Sequence, residues 1–159
     1  MEPVKRVIKA ARERLGLTLD DTATQSGLSW NEYFDVELHG DEAFTVVHLR
    51  HLKKLCEVLQ LGLLNLFGIE CAFCGRHEQA AAVPPVPRDK LIRTRREAFG
   101  LTQDQVGDLI GFETVAIVDM EKDPDFLERW SVELIVELAG YLELPVQVLL
   151  GVRCSKCGR

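Results

Sequence analysis

Apolar residues recur along this chain at spacings of three and four, the period of helices with one buried face, and every segment with a clear pattern reads as helix. The first helix is expected over Pro3 to Leu15, with Val7, Ile8 and Ala11 turned inward, stopping at Gly16 as helix C-termini often do. Thr18 is placed to cap a second helix whose first turn carries Asp20 and Asp21, negative charge at the end where the helix dipole favours it. Gly27 supplies a tight turn, and Ser29 caps a third helix. Thr45 is expected to cap a fourth, with Leu49, Leu52, Leu55 and Leu59 on its apolar face, and Leu63 to Phe67 make a short fifth.

The same order of signals then returns. Gly16-Leu17-Thr18 recurs 84 residues later as Gly100-Leu101-Thr102, and Arg12-Glu13, Gly27 and Glu37 recur in that register as Arg96-Glu97, Gly111 and Glu121. Past one deletion the offset is 83, and Leu59, Leu61, Gly68, Cys71, Cys74, Gly75 and Arg76 find Leu142, Leu144, Gly151, Cys154, Cys157, Gly158 and Arg159. In the second copy Leu91 and Ile92 lie in the first helix, and Thr102 caps a second with Asp104 in its first turn. Ser131 caps a fourth helix carrying Leu134, Ile135, Leu138 and Leu142, and Val146 to Leu150 make the fifth. Between the copies, His77 to Pro87 holds three prolines and no periodicity, the mark of an extended linker. The expected organisation is all-α: two tandem five-helix units, residues 1–76 and 88–159, joined by the Pro-rich linker 77–87.

At 159 residues, 47% hydrophobic and 28% charged, the chain is ordinary globular material rather than a disordered one. Met1 to Arg6 lacks the apolar segment of a secretory signal, and the run from Leu59 to Phe73 is broken by Gln60, Asn65 and Glu70. A cytoplasmic chain with no membrane segment is expected. The net charge of -6 weighs against a protein whose main task is coating nucleic acid, because neutralising phosphates dominates that kind of affinity. Basic residues nevertheless gather in the first helices: Lys5, Arg6, Lys9, Arg12 and Arg14, then Arg88, Lys90, Arg93, Arg95 and Arg96. They read equally as a grip on a phosphate backbone or as solvated faces balanced by acids elsewhere. With no nucleophile beside a base, no phosphate loop and no dinucleotide turn, an enzyme is not expected.

Arg-Glu-x-x-Gly-Leu-Thr followed by two helices around a glycine turn resembles the phage Cro and lambda-repressor type of helix-turn-helix family, also called Xre-like. The resemblance covers both halves and is closest at Arg96-Glu97-Ala98-Phe99-Gly100-Leu101-Thr102-Gln103-Asp104-Gln105. It implies that Arg12 pairs with Glu37 and Arg96 with Glu121, and that the third helix enters the major groove of duplex DNA. Thr102 and Gln103, opening the second helix, would touch the DNA; the first copy departs here, with Leu19 in the place of Gln103. Base contacts would come from Trp30 and Asn31 in one copy and Thr114 and Val115 in the other, with Arg93 and Arg95 on the backbone. Asn31 suits adenine, and Thr114 or Val115 a thymine methyl. Neither third helix offers an arginine or lysine before Lys122. A second possibility therefore stands beside the first: the fold is kept, and an acidic and aromatic third helix, through Trp30, Glu32, Tyr33 and Phe34, docks on a partner protein.

Two Cys-x-x-Cys pairs in a chain with no export signal favour metal or redox chemistry over a disulfide framework. Tetrahedral zinc wants four ligands and each copy supplies two, so Cys71, Cys74, Cys154 and Cys157 are expected around one structural zinc ion, with Gly75 and Gly158 permitting the tight turns. The competing redox motif normally follows a strand in a βαβ unit, which this helical pattern lacks. One bridging ion would arrange the copies about a pseudo-two-fold axis as a covalent imitation of a dimer, with third helices set for half-sites roughly 34 Å apart; bridging between chains would give a homodimer. Cys56 falls opposite Ala139 on the apolar face of the fourth helix and is expected in the core. His48 and His51 read as the flank of an amphipathic helix and His77 as a linker residue.

Overall fold

The computed structural model describes residues 2–74 and 86–158, so Gly75, Arg76, His77 and most of the linker, together with Arg159, lie outside the described residues. Among the described residues the protein is all-helical, with eleven α-helices, one 3-10 helix and no strand, and no helix is long and apolar enough to cross a membrane. Two compact units are present, one formed by Met1–Glu70 with Glu128–Glu133 and the other by Cys71–Leu127 with Leu134–Arg159. These spatial units differ from the repeats of the sequence in two places. A short piece of the second copy joins the first unit, and the first Cys-x-x-Cys pair belongs to the second.

The first unit holds α1 (Glu2–Arg14), α2 (Leu19–Ser26), α3 (Trp30–Leu38), α4 (Glu42–Thr45), α5 (Leu49–Leu59) and α6 (Leu63–Leu66). Val4, Ile8 and Ala11 form the buried stripe of α1, at i, i+4 and i+7, whereas Val7 is 42% exposed. The expectation for Val7 is thus corrected: successive helix residues point about 100° apart, and the stripe that begins at Val4 leaves Val7 on its flank. Thr18 caps α2 and Ser29 caps α3, each within a reciprocal box, because Asp21 and Glu32 at the third helical position bond back to the cap N–H. Gly27, at φ +76, closes α2 in the left-handed conformation that allows α3 to turn away.

Thr45 does not cap the fourth expected helix. It ends α4, where its hydroxyl donates back to Asp41 O at 3.2 Å, and α5 begins four residues later behind His48, whose side chain makes no cap bond. The first turn of a helix leaves N–H groups that need an outside acceptor. For α5 one acceptor comes from far along the chain: Leu49 N–H donates to Trp130 O at 2.8 Å, and Lys53 pairs with Glu128 at 2.5 Å. Trp130 and Ser131 are both buried. Leu49, Leu52, Leu55, Cys56 and Leu59 supply the inner face of α5, so Cys56 is a core residue whose thiol is pushed up to about 12 by burial.

The second unit holds α7 (Arg88–Ala98), α8 (Gln103–Ile110), α9 (Thr114–Met120), most of α10 (Val132–Tyr141) and α11 (Val146–Leu150), with the 3-10 helix Phe126–Arg129 ahead of α10. Thr102 caps α8 with Gln105 closing the box, and Gly111 ends α8 at φ +72. The core draws on Ile92, Val106, Ile117, Met120, Ile135, Leu138, Leu142 and Leu149. Even a costly backbone position repeats: Gln60 and Glu143, 83 apart, are the two non-glycine residues with positive φ among the described residues, at +56 and +49. Each follows the carbonyl that an arginine reaches, Arg14 Nη2 to Leu59 O at 3.4 Å and Arg95 Nε to Leu142 O at 2.9 Å.

Candidate functional site

Four cysteines, one pair from the middle of the sequence and one from near its end, meet within the second unit. Cys71 and Cys74 follow α6, and Cys154 and Cys157 follow α11, each pair on a short turn after the last helix of its repeat. Their four sulfurs all lie within 4.8 Å of one another. Cys71 Sγ is 3.6 Å from Cys157 Sγ, and Cys74 Sγ is 3.5 Å from Cys154 Sγ. A zinc–sulfur bond of about 2.3 Å in a tetrahedron implies sulfur–sulfur edges of about 3.8 Å, so the donor set and its spacing fit a four-thiolate metal site. A disulfide would need sulfurs about 2 Å apart, and all five cysteines are free.

The turn of the second pair explains how two thiolates are aimed at one point. Gly158, at φ +73, lets the chain reverse, and its N–H donates to Cys154 O at 2.8 Å. Lys156 N–H points at Cys154 Sγ, 3.4 Å away. Amide donors from Cys157 and Lys156 bring the Cys154 thiol down to about 6, favouring the thiolate that a metal needs. Cys74 is pushed up to about 12, chiefly by its side-chain hydrogen bond with Cys154. In the first pair Cys74 N–H donates to Cys71 O at 3.2 Å; Gly75, expected to permit this turn, lies outside the described residues.

One neighbour of the cluster carries no spacing signal. Gln147, on α11, is 1% exposed and its Nε2 donates to Cys71 Sγ at 3.6 Å. The only hint in the sequence is an amide where the first copy has Leu64.

The arginine–glutamate pairs that the resemblance implies are both present, and several side chains expected on DNA are engaged within the protein. Arg12 binds Glu37 through Nε at 2.5 Å and Nη2 at 3.0 Å, and Arg96 binds Glu121 with the same two distances. Each arginine also donates to a carbonyl five residues on, Leu17 O at 3.0 Å and Leu101 O at 2.8 Å. Burial pushes the carboxyls of Glu37 and Glu121 up, but the arginines and the further donors Tyr33, Gln103 and Arg93 outweigh it and hold both below the usual range. Gln103, expected on DNA, thus donates to Glu121 at 2.9 Å, and Arg93 reaches the same carboxylate at 3.4 Å. Arg95 bonds Leu142 O and Glu143 and lies over the Phe99 ring, 4.6 Å from its centre. Thr102 is occupied as a cap, and the Thr114 hydroxyl donates to Asp104.

On the third helices, Asn31 and Val115 are exposed. Trp30, 46% exposed, stacks on Phe34 at 4.9 Å between ring centres and 10° between planes. Tyr33, grouped with them by sequence, is instead fully buried and its hydroxyl donates to Glu37 at 2.6 Å, since position 33 faces α1 when 30 and 34 face outward. Glu32 is held by its capping box, where the Ser29 hydroxyl and N–H keep its carboxyl low. His51 sits against Ser26 O at 3.4 Å, and His48 precedes α5; neither joins the cysteine cluster. Comparison with family models, with curated proteins and with solved structures finds no match.

Proposed function

We propose that this chain is a DNA-binding transcriptional regulator of the Cro and lambda-repressor type, acting in the cytoplasm, whose fold depends on one structural zinc held by Cys71, Cys74, Cys154 and Cys157. In this reading α4 and the 3-10 helix are additions to a five-helix plan used twice. The observation that carries it is the twice-built lock of Arg12 on Glu37 and Arg96 on Glu121, each spanning a pair of helices joined at a left-handed glycine, Gly27 in one copy and Gly111 in the other. Such a lock leaves the outer side of the following helix for a groove, with Asn31 and Val115 as base-contacting candidates. Zinc fits the donor chemistry, because four thiolates at tetrahedral spacing suit a borderline-soft ion with no geometric demand of its own. The reducing cytoplasm keeps such thiols available.

Electrophoretic shift of genomic fragments tests this. A shift is expected at low salt and weakens as salt rises, because released counterions drive part of the binding. No shift at low salt overturns the DNA reading.

A second reading is favoured by one specific feature, the exposed stack of Trp30 on Phe34 beside acidic neighbours. Aromatic residues of this kind anchor protein interfaces. In that case Trp30→Ala or Phe34→Ala abolishes a co-purifying partner and leaves any DNA affinity unchanged.

A further inference from the structure

We infer that Gln147 is a positioning residue of the metal centre, its side-chain N–H donating to the Cys71 thiolate and withdrawing charge from it. The inference rests on the four-thiolate zinc reading and adds a tuning group to it.

Gln147 is the second residue of α11, a helix otherwise made of Val146, Val148, Leu149 and Leu150. It is 1% exposed, and its Oε1 has no hydrogen-bond partner among the described residues. Placing an amide in apolar surroundings with half its capacity unmet is unfavourable, so packing alone does not account for it. The first copy shows what packing alone selects: the equivalent position of α6 is Leu64, also buried.

What differs between the two positions is the neighbour. Gln147 Nε2 lies 3.6 Å from Cys71 Sγ, within reach of an N–H···S bond. A metal-bound thiolate has no proton to give and can only accept, so the amide must present its N–H to sulfur and turn its oxygen away. Cys154, the repeat equivalent of Cys71, receives the same kind of bond from the backbone N–H of Lys156 at 3.4 Å. One sulfur of each pair therefore takes an N–H from the protein, from the backbone in one case and from a side chain in the other. Groups that bond to a ligand atom fix its orientation and tune its basicity, and their loss typically weakens metal affinity by about 10- to 100-fold.

Cobalt(II), which takes tetrahedral thiolate sites and absorbs by sulfur-to-metal charge transfer, reports on this bond directly. The full chain, the Gln147→Leu variant that copies the first repeat, and the Gln147→Met variant that keeps the length of the side chain are titrated with cobalt(II) against a chelator. Both variants are expected to bind about 10-fold or more weakly. Their charge-transfer band is expected at longer wavelength, since a sulfur relieved of its N–H is more electron-rich, while the far-ultraviolet helical signal is unchanged. A merely structural amide would alter unfolding and leave the band in place. Wild-type affinity together with an unshifted band in both variants overturns the inference alone. A wild-type chain that takes up no cobalt with thiolate charge transfer overturns the zinc reading, and this inference with it.

Discussion

Arg96 and Glu121 face each other as a two-pronged fork, Nε to Oε1 at 2.5 Å and Nη2 to Oε2 at 3.0 Å, around a carboxylate with no solvent exposure. Arg12 and Glu37 repeat the fork at the same sequence separation, 25 residues, with a carboxylate side chain 9% exposed. In each half the bond ties the end of the first helix to the end of the third, across the one helix between them. Bidentate contacts of this type combine charge with fixed direction, which a lysine in the same place would not supply.

Removing the arginine strands a buried negative charge. Arg96→Ala is expected to cost about 3–5 kcal/mol, the usual consequence of breaking a buried pair from one side. Arg12→Ala should cost less, because Glu37 keeps the Tyr33 hydroxyl and has some access to water. Urea unfolding of the three proteins measures this, and a loss below about 1 kcal/mol for Arg96→Ala contradicts it.

Acid should unfold the protein through the same carboxylates. Glu37 and Glu121 are held below the ordinary value of 4.5 when folded. A depressed folded pKa contributes stability that is fully present above 4.5 and disappears as pH falls through the lower folded value. The melting temperature is therefore expected to hold through mildly acidic pH and to drop below 4.5. Glu121→Gln should flatten part of that drop; an acid profile identical to that of the wild type would mean the depression at Glu121 carries no stability.

Taking the metal away should loosen the second unit. Freshly purified protein is expected to contain one zinc per chain, and chelation to lower the melting temperature reversibly, with recovery on adding zinc. Structural zinc contributes on the order of 10–16 kcal/mol of apparent binding energy in small peptides, so the shift should be large. Cys154→Ser should mimic chelation. Elemental analysis that finds no metal, with melting insensitive to chelator, rules the site out as structural.

The two tryptophans should behave oppositely. Trp130 is 7% exposed, and its carbonyl receives the Leu49 N–H, so Trp130→Ala is expected to cost about 3–5 kcal/mol and to speed hydrogen exchange at the Leu49 amide. Trp30→Ala, at an exposed position, should cost less than about 1 kcal/mol. Equal losses at the two sites would contradict the burial described for them.

The helical elements and three of their caps were legible from the chain itself, because those signals are local. Thr18, Ser29 and Thr102 cap their helices within three residues of their partners, and Gly27 and Gly111 turn where a left-handed φ is needed. The cysteine pairs were equally legible as four candidate ligands, since spacing alone restricts what Cys-x-x-Cys can do. The Arg12–Glu37 and Arg96–Glu121 pairs span 25 residues and came only through a family resemblance.

Three things waited for the tertiary structure, each because it depends on which distant groups arrive at one place. Burial of Tyr33 follows from the rotation of α3 against α1, and no count of aromatic residues along the chain distinguishes it from Trp30 and Phe34. The first N–H of α5 is met by the Trp130 carbonyl, some 80 residues away, in place of the Thr45 cap that local sequence suggests. Gln147 becomes part of the cysteine centre only when α11 packs beside Cys71, 76 residues earlier in the chain. Local hydrogen bonds and helical period are written into neighbouring residues, whereas contacts closed across long loops are decided by packing, and packing is where the chemistry of this site was assembled.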